Sequence, residues 1–187
     1  MDEDRVAALV RELLLALGED PGREGLVETP NRVAAWYCEL FSSEDATVST
    51  SFPEGHLDGQ LVVVSGISVW SLCEHHLLPM HLDINVGYVP GAEVLGLSKF
   101  GRIARKCAGR LQVQERFTRQ VADEVATAVG SSNVAVAVRG THLCMSMRGV
   151  RMEQARTTTV ECRGHLDGDT AQAQRFLALA TEPWKSA

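Results

Sequence analysis

Apolar residues in the first forty positions recur three and four apart. Val6, Leu9, Val10, Leu13, Leu14 and Leu17 line one face of a helix predicted from Asp4 to Leu17, and Gly18 follows as a stop. A second helix is marked by "ETPNRVAAWYCELF", where Thr29 can cap the start and Pro30 suits the first turn, which needs no N–H. The chain then becomes rich in Ser, Thr and Gly from about Ser42 to Gly59, so residues 1–59 read as a helical arm and its connection. From residue 60 the period shortens to two. "QLVVVSGISVW" is β-branched, and "HLDINVGYVP" alternates through Leu82, Ile84, Val86 and Tyr88, so both predict strands. "LSKFGRIARKCAGR" predicts a helix with Ser98 as its cap, and a longer helix runs from Gln114 to Val129, ended by Gly130. "NVAVAVRG" and "VRMEQARTTTVECRG" predict a closing hairpin. Hairpins with two helices between them imply an α+β body over residues 60–187: an antiparallel sheet with helices on one face.

Composition narrows the class. The chain has 187 residues, enough for one well-buried core, with a hydrophobic share of 45% and a charged share of 22%. A net charge of -6 argues against a nucleic-acid partner, although a local basic patch can still hold phosphate. No apolar run suits a membrane span, and the acidic start "MDEDRVAALV" is unlike a signal peptide, so a cytoplasmic address is expected. The five cysteines are odd in number and scattered, which fits free or metal-bound thiols rather than a disulfide frame.

Three clusters carry candidate chemistry. "SLCEHHLLPM" sets Cys73, Glu74, His75 and His76 in succession; Cys73 and His76 are spaced to reach one ion from a turn. Alone, this pattern equally suits a polar turn whose imidazoles bond to backbone. "GTHLCMSMRG" adds His142 and Cys144 beyond a predicted strand, so the two groups together offer either four metal ligands or three with an open position. Their bland alternatives are a strand-end imidazole and a small buried hydrophobe. In "GLSKFGRIARKCAGRLQVQER", Lys99 and Arg102 fall three apart at a helix start, a site for an anion or simply a solvated basic face, and Gln114 and Glu115 follow.

The blocks "GLVETPNRVA", "CEHHLLP", "GYVPGAEVLGLSKFGRIA", "RLQVQERFTRQVA" and "THLCMSMRGV" together resemble GTP cyclohydrolase I, in order and spacing, from Gly25 to Gly164. The resemblance implies a T-fold α+β subunit with a helical N-terminal arm, assembled as a homodecamer with active sites between subunits. It implies Cys73, His76 and Cys144 as zinc ligands with the fourth place open, and His75 and His142 as catalytic imidazoles. Gln114 and Glu115 match guanine-binding positions, Ser98 a nucleotide contact, and Arg32, Lys99, Arg102 and Arg148 triphosphate-binding positions. The implied reaction takes GTP to 7,8-dihydroneopterin triphosphate with release of formate, a product that serves pterin and folate synthesis. Departures from the family's usual pattern stand at Leu82, Asp83, Ala155 and Leu166. They leave room for a paralogue serving a specialised pathway, acting on another purine nucleotide or stopping at a ring-opened intermediate. A zinc-stabilised relative without turnover is the alternative from another class; the retained His75, His142, Gln114 and Glu115 argue against it, since a structural ion needs none of them.

Overall fold

A computed structural model of the chain describes residues 1–42, 51–53, 59–91 and 93–181. It divides into two compact units, Met1–Ser43 and Glu44–Ala187.

The first unit pairs helix α1 (Glu3–Ala16) with helix α2 (Thr29–Phe41). The Asp2 carboxylate accepts the Arg5 N–H at 2.9 Å, and Glu3 and Asp4 add negative charge at the positive end of the helix. The predicted Thr29 cap is displaced by one residue. Thr29 already bonds to the carbonyl of Leu26 in the preceding turn, so helical backbone begins early and Glu28 takes the cap position, with Pro30 in the first turn. No residue of α1 is buried; Leu9, Leu13 and Leu17 are exposed.

The second unit is built on a five-stranded sheet of order β5-β2-β3-β6-β7: β2 (Val62–Cys73), β3 (Pro79–Tyr88), β5 (Leu111–Gln112), β6 (Val134–His142) and β7 (Thr157–Cys162). The hairpins β2–β3 and β6–β7 are antiparallel, as the pattern predicts, and β3 pairs with β6 between them. Two features went unread. Ser51–Pro53 (β1) pairs with Glu93–Leu95 (β4), inside a stretch expected to be only a connection; the rest of that connection up to residue 58 lies outside the described residues. The last strand is also shorter than expected. Turns bond Arg151 to Arg148, Met152 to Met145 and Ala155 to Met152, and Arg151 has φ 52, so the backbone before Thr157 cannot join the sheet.

Between the hairpins lie α3 (Ser98–Ala108) and α4 (Gln114–Val129). Phe100, Ile103, Phe117, Val121 and Val125 pack from these helices onto Met80, Leu82, Ile84, Val86, Val134, Val136 and Val138. α4 ends at Gly130, whose φ of 60 is the left-handed conformation expected there. α3 starts at Ser98 itself and not after it, because a turn from Gly96 to Lys99 leads straight into the helix. Alternate residues of β6 face the other way. Ala135 and Ala137 meet Phe176 of α6 (Ala171–Thr181) and Leu166, so the C-terminal helix covers the opposite face of the sheet. Gly87 makes this fit: a Cβ there would stand 2.5 Å from the Phe176 ring. No helix among the described residues is long and apolar enough to cross a membrane.

Candidate metal centre

The β2–β3 hairpin closes in a tight turn. Leu78 accepts the Cys73 N–H at 2.9 Å, Cys73 accepts the N–H of Leu77 at 2.9 Å, and Leu77 takes a left-handed φ of 53. This reversal folds His76 back over the strand end, with its Nδ1 3.8 Å from Cys73 Sγ. From the other hairpin, β6 ends at His142 and a single helical turn, α5 (Leu143–Ser146), presents Cys144 with its Sγ 4.0 Å from that of Cys73. One donor atom from each of Cys73, His76 and Cys144 lies within 4.8 Å of the others. A tetrahedral ion with ordinary zinc bond lengths would separate two sulfurs by about 3.8 Å and a sulfur and a nitrogen by about 3.6 Å. The three donors therefore fit a single ion with little movement.

Burial, and then the neighbouring Cys73 sulfur, push the Cys144 thiol above its ordinary range. Cys107 differs in kind: it sits in the core, where burial pushes its thiol up to about 12. All five cysteines are free of disulfides.

His142 stands apart from the three donors, and its Nε2 lies 2.8 Å from Oε1 of Gln114. Burial lowers its pKa, opposed by the charge of Glu115, an exposed residue of the first turn of α4. His75 is exposed at the hairpin tip, its Nδ1 4.0 Å from Cys73 Sγ. Nη1 of Arg148 lies 3.0 Å from Nε2 of His76 while Nδ1 faces the cysteine; because a guanidinium only donates, Nδ1 holds the hydrogen of the neutral ring in this arrangement, and coordination through Nδ1 requires Arg148 to turn away. Ser98 and Arg102 are exposed on α3 whereas Lys99 is buried, so the shared face read from their spacing is split. Among the described residues, no hydrogen bond or ion pair ties Ser98 or Arg102 to the three donors. Arg32 is exposed on α2, in the first unit.

Two residues to which the sequence assigns no site role organise this end of the sheet. Arg116 donates to the Glu74 carboxylate and to the Leu111 carbonyl, and its Nε reaches Gln112 Oε1 at 3.0 Å, so the donor hairpin is clamped to β5 and α4. Gly140 is the other. A Cβ there would lie 2.0 Å from Gln114 Oε1 and 3.0 Å from His142 Nε2, so only glycine lets those side chains meet. A lone glycine inside a strand pattern signals such an approach; the partner of Glu74, 42 residues away, leaves no signal.

Three donors converging beside a separately held imidazole, on an α+β body, define a candidate mononuclear metal site. A sequence profile of the GTP cyclohydrolase I family matches residues 6–181. Among curated proteins, GTP cyclohydrolase 1 of Corynebacterium glutamicum (strain R) is 46% identical over 184 residues, 95% of this chain and 93% of that protein. The enzyme of the same name from Mycobacterium ulcerans is 47% identical, covering 95% and 90%, and that of Hyperthermus butylicus is 49% identical over 180 residues, covering 96% and 91%. A solved structure, archaeosine synthase QueF-Like in the apo form, shares 20% identity at a TM-score of 0.44, over 56% of this chain and 93% of that one. The chain belongs to the GTP cyclohydrolase I family.

Proposed function

We propose that this chain converts GTP to 7,8-dihydroneopterin triphosphate with release of formate, with zinc held by Cys73, His76 and Cys144. Membership of the family carries the reaction, and the convergence of these donors from two hairpins supports the ion. Two thiolates and one imidazole suit zinc, and three protein donors are the open pattern of catalytic sites. A bound zinc ion supplies Lewis acidity that makes water a competent nucleophile near neutral pH.

The side chains divide the remaining work. The Glu115 carboxylate accepts the ring N–H and the amino group of guanine together, with Gln114 beside it at the base. His75 gives a proton to the purine imidazole as its carbon 8 is attacked, and His142 moves protons during ring opening and rearrangement. Ser98 touches the nucleotide, and Arg32, Lys99, Arg102 and Arg148 receive the triphosphate. His142 supports turnover over a purely structural metal, since its ring is bonded to Gln114 and not placed among the donors.

The working form is a homo-oligomer, a decamer of T-fold subunits with sites between them, acting in the cytoplasm. An α1 without buried residues and an edge strand β7 with Val160 exposed leave surface for such assembly. Residues 1–59 serve as the arm and connection, and 60–187 as the catalytic body.

The decisive experiment incubates zinc-loaded protein with GTP and follows formate together with the fluorescent oxidised pterin. Formate and pterin in equal amounts are expected. Formate without pterin points to a ring-opened product, and neither product from fully loaded protein overturns the reading.

A further inference from the structure

Gln114 is a buried polar side chain at the start of α4, 1% exposed, and every polar atom of its amide is engaged. Its Nε2 lies 3.0 Å from the Val138 carbonyl, 3.1 Å from the Thr157 carbonyl and 3.1 Å from Thr159 Oγ1. The first two can only accept. The third also accepts, because the hydroxyl protons run one way: Thr118 donates to the Gln114 carbonyl at 2.8 Å, so Thr159 donates to Thr118 across 2.6 Å and turns a lone pair to Gln114. Rotating the amide by half a turn would set its oxygen against two carbonyl oxygens. The amide therefore has one orientation, and it aims Oε1 at His142 Nε2, 2.8 Å away. Gly140 keeps that path open, since a Cβ there would stand 2.0 Å from Oε1.

An acceptor held in this way admits only a donor. Nε2 must therefore carry hydrogen, and in the neutral ring Nδ1 is the nitrogen left with the lone pair. We propose that Gln114 is the positioning residue for His142, fixing the ring as its Nε2–H tautomer so that the Nδ1 lone pair is the one presented to the nucleotide. The proposal rests on the reading of His142 as a proton-transfer group. It also gives the Gln114 amide, whose nitrogen is committed to Val138, Thr157 and Thr159, the work of orienting the group that acts on the substrate.

Two measurements test it. Solid-state 15N spectra of histidine-labelled, zinc-loaded protein, assigned with His142→Ala, should show a pyrrole-type Nε2 and a pyridine-type Nδ1 for neutral His142. The opposite tautomer overturns the proposal without any Gln114 variant being needed, and stands whether or not GTP is the substrate. Gln114→Met should then mix the tautomers and lower kcat about 100-fold with the KM for GTP changed by less than about 3-fold, the scale of a lost orienting bond. Gly140→Ala, which removes no functional group, should shift the same 15N signals. A large rise in KM with kcat kept would return Gln114 to guanine binding and overturn the proposal. An intact tautomer in a parent inactive on GTP would leave it standing while removing the proposed function.

Discussion

Arg116 reaches back from α4 to hold the carboxylate of Glu74, the residue between the candidate donor Cys73 and the imidazole of His75. The hydrogen bond from Arg116 holds the Glu74 carboxyl below the usual carboxylate range; partial burial opposes this, and the charges of Arg116 and His75 add to the lowering. A carboxyl depressed in the folded state stabilises it above the unfolded pKa of about 4.3, and that contribution disappears as pH falls through the folded value. Glu74→Gln should therefore lower Tm at neutral pH, with the gap closing in acid. Calorimetry of parent and variant from about pH 3 to pH 8 checks this; a gap unchanged at the acid end would disprove the linkage.

With Cys144 as a ligand, its raised thiol would make metal uptake depend on pH. It carries its proton at pH 7, and the ion needs the thiolate, so loading releases protons and tightens as pH rises. Titrating zinc into metal-free protein in buffers of different ionisation enthalpy reads the protons directly. Cys144→Ser should lose most of the metal at pH 7; a full complement would remove Cys144 from the ligand set.

His142→Ala separates ligand from proton carrier. Because Nε2 is bonded to Gln114, the variant should keep its metal while turnover falls by roughly 100-fold or more. Metal analysis beside single-turnover rates decides the matter. Metal loss as deep as in Cys144→Ser would place His142 on the ion.

Among the described residues Glu115 forms no ion pair, and the guanidinium of its neighbour Arg116 is taken by Glu74. Its carboxylate is thus available for a base. Guanine meets it with two N–H groups, hypoxanthine with one and adenine with a ring acceptor, so activity should fall from GTP through inosine triphosphate to ATP. Glu115→Ala should lose about 100-fold or more in kcat/KM for GTP with metal and fold intact. Equal use of GTP and ATP by the parent would end the assignment.

Much of this was legible in the residues. Period-two runs located β2, β3 and β6, and Gly130 marked the end of α4, because sheet pleat and left-handed backbone impose strict local demands. The residues alone grouped Cys73, His76, His142 and Cys144 and left three or four ligands open; the family resemblance singled out Cys73, His76 and Cys144, and the structure brings those three donors together. Other features depend on partners distant in sequence. Nothing local announces that Phe176 requires Gly87, that Arg116 selects Glu74 over adjacent Glu115, or that Lys99 is buried while Arg102 is exposed. The displaced caps at Thr29 and Ser98 share one cause: a turn already wound in the helical sense starts the helix before the polar residue.

Cys73 ends β2 and Cys144 follows β6; β3 lies between those strands, and the two cysteines are 71 positions apart in sequence. An ion gripping both is a removable staple across non-adjacent strands, closing a long loop whose ends are free to part in the unfolded chain. In a metal-loaded form, folding and metal supply would be one equilibrium, worth about 2.7 kcal/mol when free metal stands at 100 times its dissociation constant. Metal starvation would then thin the population of folded molecules, and the protein's abundance would follow the supply of the bound ion.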